Sequence, residues 1–112
     1  MNRIFVYGTL KRGQRNAHYM RGARFYGHHL TENIYSMYEF EDYPAVCRDG
    51  IHAVAGEVFG VNNRQFRALD ELEWYPSFYQ RIEISTRWGH AWMYIVEPVL
   101  CRGKRQLAGS WP

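Results

Sequence analysis

The sequence lacks the features that mark membrane and secreted proteins. It has no run of about 18 apolar residues, so we expect no membrane-spanning helix. It also has no signal-peptide pattern at its start, which favours a cytoplasmic protein. Its 2 cysteines, Cys47 and Cys101, are far apart and lack metal-ligand spacing, so we expect free thiols.

The familiar catalytic and cofactor motifs are missing as well. The sequence contains no GxSxG elbow, no phosphate-binding P-loop and no dinucleotide fingerprint. The adjacent His28 and His29 would point to opposite faces of a strand and could not chelate one metal together. We therefore expect neither a metal nor a cofactor.

Positive charge is present but not concentrated. The net charge is +3 and the isoelectric point is about 9.0, yet the only dense basic stretch is residues 102–105. Scattered arginines are typical of a solvated surface, so we expect no nucleic-acid partner. A basic domain that binds nucleic acid is the alternative, and it would bind more weakly as salt rises.

The 112 residues suffice for one domain, residues 1–112, with one hydrophobic core. Five to seven short strands are predicted, mostly joined by hairpins, one of them with a turn at Asp49-Gly50. The single convincing helix runs from Asn63 to about Trp74. These patterns predict an α+β fold with a curled or closed sheet.

The stretch from Phe5 to Leu10 organises the rest of the chain. An apolar strand meets Gly8 and then a polar segment, which predicts a sharp turn. Gly8 can adopt a positive φ without strain and leaves no side chain between the backbone and a ligand, and successive N–H groups in such a turn form an anion-attracting nest. A plain turn without a ligand is the alternative.

Glu73 is the leading catalytic candidate. It shares an apolar helical stripe with Phe66 and Leu69 and lies at the helix C-terminus, and both effects raise the pKa of a carboxyl. A general base that must return its proton needs such a pKa. The alternatives are an ion pair with Arg81 or Arg67, or an exposed side chain in a frayed last turn.

Other polar candidates are less distinctive. Glu57 shares a strand face with apolar residues, and a buried ion pair explains it as readily as catalysis does. Three tyrosines, Tyr7, Tyr79 and Tyr94, could present hydroxyls to a ligand, although buried tyrosines usually pack with a satisfied hydroxyl.

Two segments together resemble the γ-glutamyl cyclotransferase-like family, and the likeness extends to about residue 97. The stretch Tyr7-Gly8-Thr9-Leu10 is similar to the opening motif of the family. Leu69-Asp70-Glu71-Leu72-Glu73, with Tyr79-Gln80-Arg81 downstream, is similar to its LDxxE and YxR signature. The compact γ-glutamylamine cyclotransferases and bacterial YtfP-type proteins are the most similar subgroups. Many members have a glycine where this chain has Trp74.

The resemblance implies a small mixed β-barrel with one main helix and short flanking helical turns. It implies that Glu73 is the catalytic acid/base, that Tyr7 to Leu10 bind a small γ-glutamyl substrate, and that 5-oxoproline is released. The same fold could instead serve as a non-catalytic module that binds a small metabolite. We expect the mouth of the cavity in the loops at 11–16, 41–50 and 74–78, and a monomer or weak homodimer.

Overall fold

The computed structural model describes residues 2–112, which form eight strands, one α-helix and two short 3₁₀ helices. The strands are β1 (Asn2–Val6), β2 (Arg24–Leu30), β3 (Tyr35–Phe40), β4 (Tyr43–His52), β5 (Ala55–Val61), β6 (Gln80–Thr86), β7 (Gly89–Ile95) and β8 (Arg105–Leu107). The helix α1 is Asn63–Leu72, and the 3₁₀ helices are Ala17–Met20 and Pro98–Cys101. None of the helices in this part of the chain is long and apolar enough to cross a bilayer.

Strand β1 is the centre of a five-stranded sheet with the order β2-β5-β1-β7-β6. It runs antiparallel to β5 and parallel to β7. Because side chains alternate along a strand, Ile4 enters a core cluster with Leu69 of α1, whereas Phe5 enters a second cluster with Met37 of β3. The opening strand is therefore buried on both faces, and the turn that follows its last residue lies in the interior.

The second sheet has three strands in the order β4-β3-β8. The predicted barrel is wrong, because the two sheets are not closed into one. Across residues 2–112, the strand ladders of the two sheets remain separate, and single hydrogen bonds such as Val96 N–H to Val46 O (2.9 Å) link the ends of β7 and β4. The C-terminal strand β8 pairs with the side of β3 that β4 leaves open, so within the described residues β3 pairs with no strand of the first sheet. The α+β class itself is confirmed.

The predicted hairpin turn at Asp49-Gly50 is also wrong. These residues lie within β4, where Arg48–Ile51 form a bulge between the pairs Tyr35–His52 and Ser36–Cys47. A Cβ on Gly50 would lie 2.0 Å from Ser36 Oγ, so the glycine permits a close approach of the two strands. The chain instead reverses at residues 41–42.

Glycine at position 56 marks a close approach of backbones. A Cβ there would lie only 2.3 Å from the carbonyl oxygen of Val6 on the neighbouring strand. The absent side chain lets β5 pack against the end of β1, directly before the turn at residues 8–10.

Helix α1 begins at a capping box. The Asn62 side chain accepts from Gln65 N–H (2.7 Å), and the Gln65 side chain accepts from Asn62 N–H (3.1 Å). Glu73 is the C-cap, and its N–H donates to Leu69 O (2.9 Å). The predicted helix is confirmed, although it ends slightly earlier than Trp74. Its C-terminus places Glu73 beside the end of β1.

Candidate active site

A cavity of about 430 Å³ opens where β1 ends. That volume lies within the range of small-molecule sites, about 300–1,000 Å³. Its walls come from four parts of the chain, namely the end of β1 with the turn after it, the start of β4, the end of α1 with the loop after it, and β7. The lining residues are Phe5, Val6, Tyr7, Gly8, Thr9, Leu10, Arg15, Asn16, Tyr43, Pro44, Leu72, Glu73, Trp74, Phe78, Tyr79 and Tyr94.

The predicted catalytic residue Glu73 and the predicted substrate-binding residues 7–10 and Tyr79 all lie on this one cavity. Residues 7–10 precede Glu73 and Tyr79 by more than sixty positions in the chain, and the fold brings them together. The loops predicted to form the mouth also contribute, through Arg15, Tyr43 and Trp74 among others.

The turn after β1 lines the cavity and contains backbone donors that no protein acceptor among residues 2–112 uses. Among the hydrogen bonds of residues 2–112, none uses the backbone N–H of Gly8, Thr9 or Leu10. The carbonyls of Gly8 and Thr9, by contrast, accept from Lys11 (3.1 Å) and Asn16 (3.0 Å). Buried N–H groups rarely lack an acceptor, so this wall suits an anionic or carbonyl-bearing ligand.

Gly8 serves this turn differently from our expectation. Its φ is not among the positive values in the chain, so left-handed geometry does not require glycine there. A Cβ at this position would instead lie 2.6 Å from Cγ of the buried Pro44 on β4. The turn therefore does not use the positive φ that glycine permits, and glycine is needed because β4 packs directly against the turn.

Asn16 holds the turn in place. Its side-chain amide donates to Thr9 Oγ1 (3.0 Å), and its N–H donates to Thr9 O (3.0 Å). The same side chain makes no capping hydrogen bond to the 3₁₀ helix that follows. Sequence spacing alone could not reveal that Asn16 reaches back seven positions.

Glu73 is half-buried on the cavity wall. Burial raises the pKa of its carboxyl from the ordinary 4.5 to about 7. The predicted alternative of an ion pair is wrong, because Arg81 binds Asp70 and no salt bridge within residues 2–112 includes Glu73. The site thus contains a carboxyl that can hold or release a proton near neutral pH.

The tyrosine hydroxyls around Glu73 donate to protein acceptors. Tyr7 donates to Tyr94 O (2.9 Å), and Tyr79 donates to Pro44 O (2.8 Å). Burial, followed by the nearby Glu73 charge among other causes, raises the pKa of both phenols. These hydroxyls therefore stay protonated, and their oxygens can still accept a hydrogen bond from a ligand.

An ion-pair network fixes the end of α1 against the sheet. Arg81 donates to both carboxylate oxygens of Asp70 (Nε to Oδ1 3.0 Å, Nη2 to Oδ2 3.1 Å), and Tyr94 donates to Oδ1 (2.7 Å). The Arg81 guanidinium also lies over the rings of Tyr75 and Trp92. Asp70 is one turn before Glu73, so this network fixes the end of α1 and with it the position of Glu73.

We expect Arg81→Lys to lower the free energy of unfolding by about 2 kcal/mol, because an ammonium cannot replace the bidentate, stacked guanidinium. Urea denaturation of the variant measures the change. Arg67→Lys, at an exposed position of α1, is the control and should change stability little. Equal stability of the two variants would contradict a stabilising role for the network.

Glu57 lies outside this cavity. Its buried carboxylate accepts from Arg12 N–H (2.8 Å) and pairs with the Arg12 guanidinium (3.5 Å). The structure thus bears out the ion-pair interpretation of Glu57.

Comparison with known proteins gives a consistent result. Residues 4–112 match the family described as gamma-glutamyl cyclotransferase, AIG2-like. The chain is 36% identical over 109 residues to a gamma-glutamylcyclotransferase family protein, YtfP, of Escherichia coli, covering 97% of this chain and 95% of the relative.

Solved structures show the same fold. An uncharacterized protein from Pyrococcus horikoshii superposes with a TM-score of 0.82 and 33% identity, over 98% of this chain and 89% of the other. An AIG2-like protein from mouse superposes with a TM-score of 0.76 and 31% identity, over 88% and 81% of the two chains.

Proposed function

The chain belongs to the gamma-glutamyl cyclotransferase, AIG2-like family, and from that premise we propose that it releases 5-oxoproline and a free amine from a γ-glutamyl amine or peptide, with Glu73 as general acid/base. One observation carries the proposal. A half-buried carboxyl with a pKa of about 7 shares a cavity with three unused backbone N–H groups. These are the two groups that an intramolecular cyclisation needs, a base for the nucleophile and a holder for the rest of the substrate.

The N–H groups of residues 8–10 would bind the α-carboxylate of the glutamyl group. Tyr7 and Tyr79 donate their own protons to carbonyls, so their oxygens would accept from the α-ammonium. Together these contacts would hold the α-nitrogen between the tyrosines and Glu73. Such positioning matters because well-oriented intramolecular reactions reach effective molarities of about 10⁵ M or more.

The proposed reaction needs one proton carrier. The Glu73 carboxylate removes a proton from the α-ammonium, and the freed amine attacks the side-chain carbonyl carbon. A new C–N bond closes the five-membered ring, and the carbonyl oxygen becomes an oxyanion. When the oxyanion collapses, the original amide C–N bond breaks and Glu73 returns its proton to the departing amine. The regenerated carboxylate then takes the second proton from the ring nitrogen and passes it to the amine, which leaves as an ammonium.

The deciding experiment is an assay for 5-oxoproline with a panel of L-γ-glutamyl amides and peptides. Each is paired with its Nα-acetyl derivative, which lacks a free nucleophile and should not be turned over. Release of glutamate instead of 5-oxoproline would indicate hydrolysis and contradict the proposal. Thermal stabilisation by a γ-glutamyl compound that is never turned over would favour the non-catalytic binding module.

The pH dependence of kcat/KM should report the pKa of Glu73. Below about pH 7 the carboxyl is protonated and cannot accept the ammonium proton, so kcat/KM should fall about ten-fold per pH unit. Rates of 5-oxoproline release from pH 5 to 7.5 measure this limb. The α-ammonium of the substrate stays protonated over that range. A rate that is flat down to pH 5 would show that Glu73 has an ordinary carboxyl pKa or is not the base.

A further inference from the structure

The indole of Trp74 occupies an unusual place at the cavity. It lines the same wall as Glu73, yet 73% of the residue is exposed to solvent. A large aromatic side chain in that position covers part of the cavity mouth while contributing little to the core. Core packing therefore does not account for a tryptophan here.

The backbone does not account for it either. Trp74 has a φ of +52°, in the left-handed region where glycine is free of strain. A bulky residue costs about 1–2 kcal/mol in that conformation. Hydrogen bonds fix the conformation, since Trp74 N–H donates to Glu71 O (3.2 Å) and Trp74 O accepts from Phe78 N–H (2.8 Å). The backbone that carries the indole is thus fixed beside Glu73 at a cost in strain.

The cavity wall around Trp74 is aromatic and offers no free charge. Tyr43 and Phe78 also line the cavity. Apart from Glu73, the one charged side chain among the described lining residues is Arg15, and its guanidinium already pairs with Asp42. A leaving group with its own carboxylate or ammonium would therefore find no unpaired partner, whereas a flat ring would find faces on which to stack.

We propose that Trp74 is the stacking wall of a leaving-group subsite, and that the preferred substrates are L-γ-glutamyl amides whose leaving amine carries an aromatic ring. This inference rests on the proposed function, because it assigns the mouth of the same cavity. The glutamyl group would occupy the end with Glu73 and the turn at residues 8–10, and the amine portion would extend past the indole toward solvent.

The experiment compares two substrates, L-γ-glutamyl-benzylamide and L-γ-glutamyl-methylamide, in the wild type and in Trp74→Gly and Trp74→Phe. The ratio of their kcat/KM values should fall about five- to ten-fold in Trp74→Gly. Trp74→Phe should keep most of the ratio because a ring remains. Comparing ratios between variants cancels the difference in intrinsic reactivity of the two amides.

Folding is controlled in two ways. Trp74→Gly should keep its Tm, because glycine suits the left-handed backbone and the lost side chain is mostly exposed. Ile51→Ala removes another large side chain, 79% exposed and outside the cavity, and should leave the ratio unchanged.

Binding measurements separate this inference from the proposed function. Calorimetry in the Glu73→Gln background, with and without Trp74→Gly, gives dissociation constants for both intact amides. Ring-dependent binding without any turnover by the wild type would contradict the proposed function alone. An unchanged benzyl-to-methyl ratio in both assays would overturn the role of Trp74. The role of Trp74 would also be overturned if Trp74→Gly lowered kcat/KM more for a cationic amide such as γ-glutamyl-diaminobutane than for the benzylamide. A Trp74→Gly variant that changed only its oligomeric state in gel filtration would overturn it as well.

Discussion

We expect the Glu73→Gln variant to release 5-oxoproline about a thousand-fold more slowly than the wild type, within the range of about 10²–10⁴ typical of general acid–base residues. Glutamine keeps the shape of the side chain but cannot take the proton from the α-ammonium or return it to the leaving amine. Initial rates of 5-oxoproline release with the best γ-glutamyl amide of the panel measure the loss. The KM should change much less than kcat, because the glutamyl group is held by the turn at residues 8–10.

The neighbouring Glu71 provides a matched control. It carries the same side chain two positions earlier but is exposed and does not line the cavity. Glu71→Gln should therefore retain the wild-type rate. Near-normal turnover by Glu73→Gln, or an equal loss in both variants, would show that Glu73 is not the acid/base.

The same Glu73→Gln substitution should stabilise the fold above neutral pH. Because the folded-state pKa is about 7 and the ordinary value is 4.5, the folded protein binds this proton more tightly than the unfolded chain between those values. Wild-type stability from this group therefore falls as the pH rises from about 4.5 to 7 and is constant above that window. Glutamine avoids the buried charge, so the free energy of unfolding of the variant should exceed that of the wild type at pH 8 by up to about 3 kcal/mol, and its Tm should be higher. At pH 4 the two proteins should have the same stability. A higher Tm with lost activity would exclude misfolding as the cause.

The second large effect is expected from Gly8→Ala. Its Cβ would lie 2.6 Å from Cγ and 2.9 Å from Cδ of Pro44, whose ring is buried and cannot rotate away. The turn at residues 8–10 must then move off β4, which should cost about 1–3 kcal/mol of stability. A displacement of about 1 Å in a positioning group can reduce the rate about 10²-fold, so we expect a loss of that order in kcat/KM. Urea denaturation and the 5-oxoproline assay measure the two changes.

Gly13→Ala is the control for Gly8→Ala. Gly13 lies in the same loop and has a φ of +83°, yet nothing lies within 4 Å of a Cβ placed there. It should lose about 1 kcal/mol through backbone strain alone and keep the turn amides in place. If Gly8→Ala retained the wild-type kcat/KM, the amides of this turn would not be the substrate holder.

Much of the local structure follows from short-range sequence signals. The apolar spacing of Phe66, Leu69 and Glu73 predicts the helix, which the structure forms at Asn63–Leu72. The family likeness, carried by the turn after β1 and the end of α1, is confirmed by the match over residues 4–112. These features depend on residues near one another in the chain, which is why a pattern reveals them.

The arrangement of the sheets and the state of Glu73 needed the tertiary structure. Whether the two sheets close into a barrel depends on pairing between strands that are distant in the chain. Here the C-terminal strand β8 pairs with β3. Helical periodicity placed Glu73 on an apolar stripe, but sequence spacing could not show whether Arg81 pairs with Glu73 or with Asp70. Only the folded geometry shows that Asp70 takes the arginine and leaves Glu73 without an ion pair, with burial raising its pKa. The sequence determined which residues carry groups suited to acid–base chemistry. Packing between distant segments decided which of these groups is held in an ion pair and which is not.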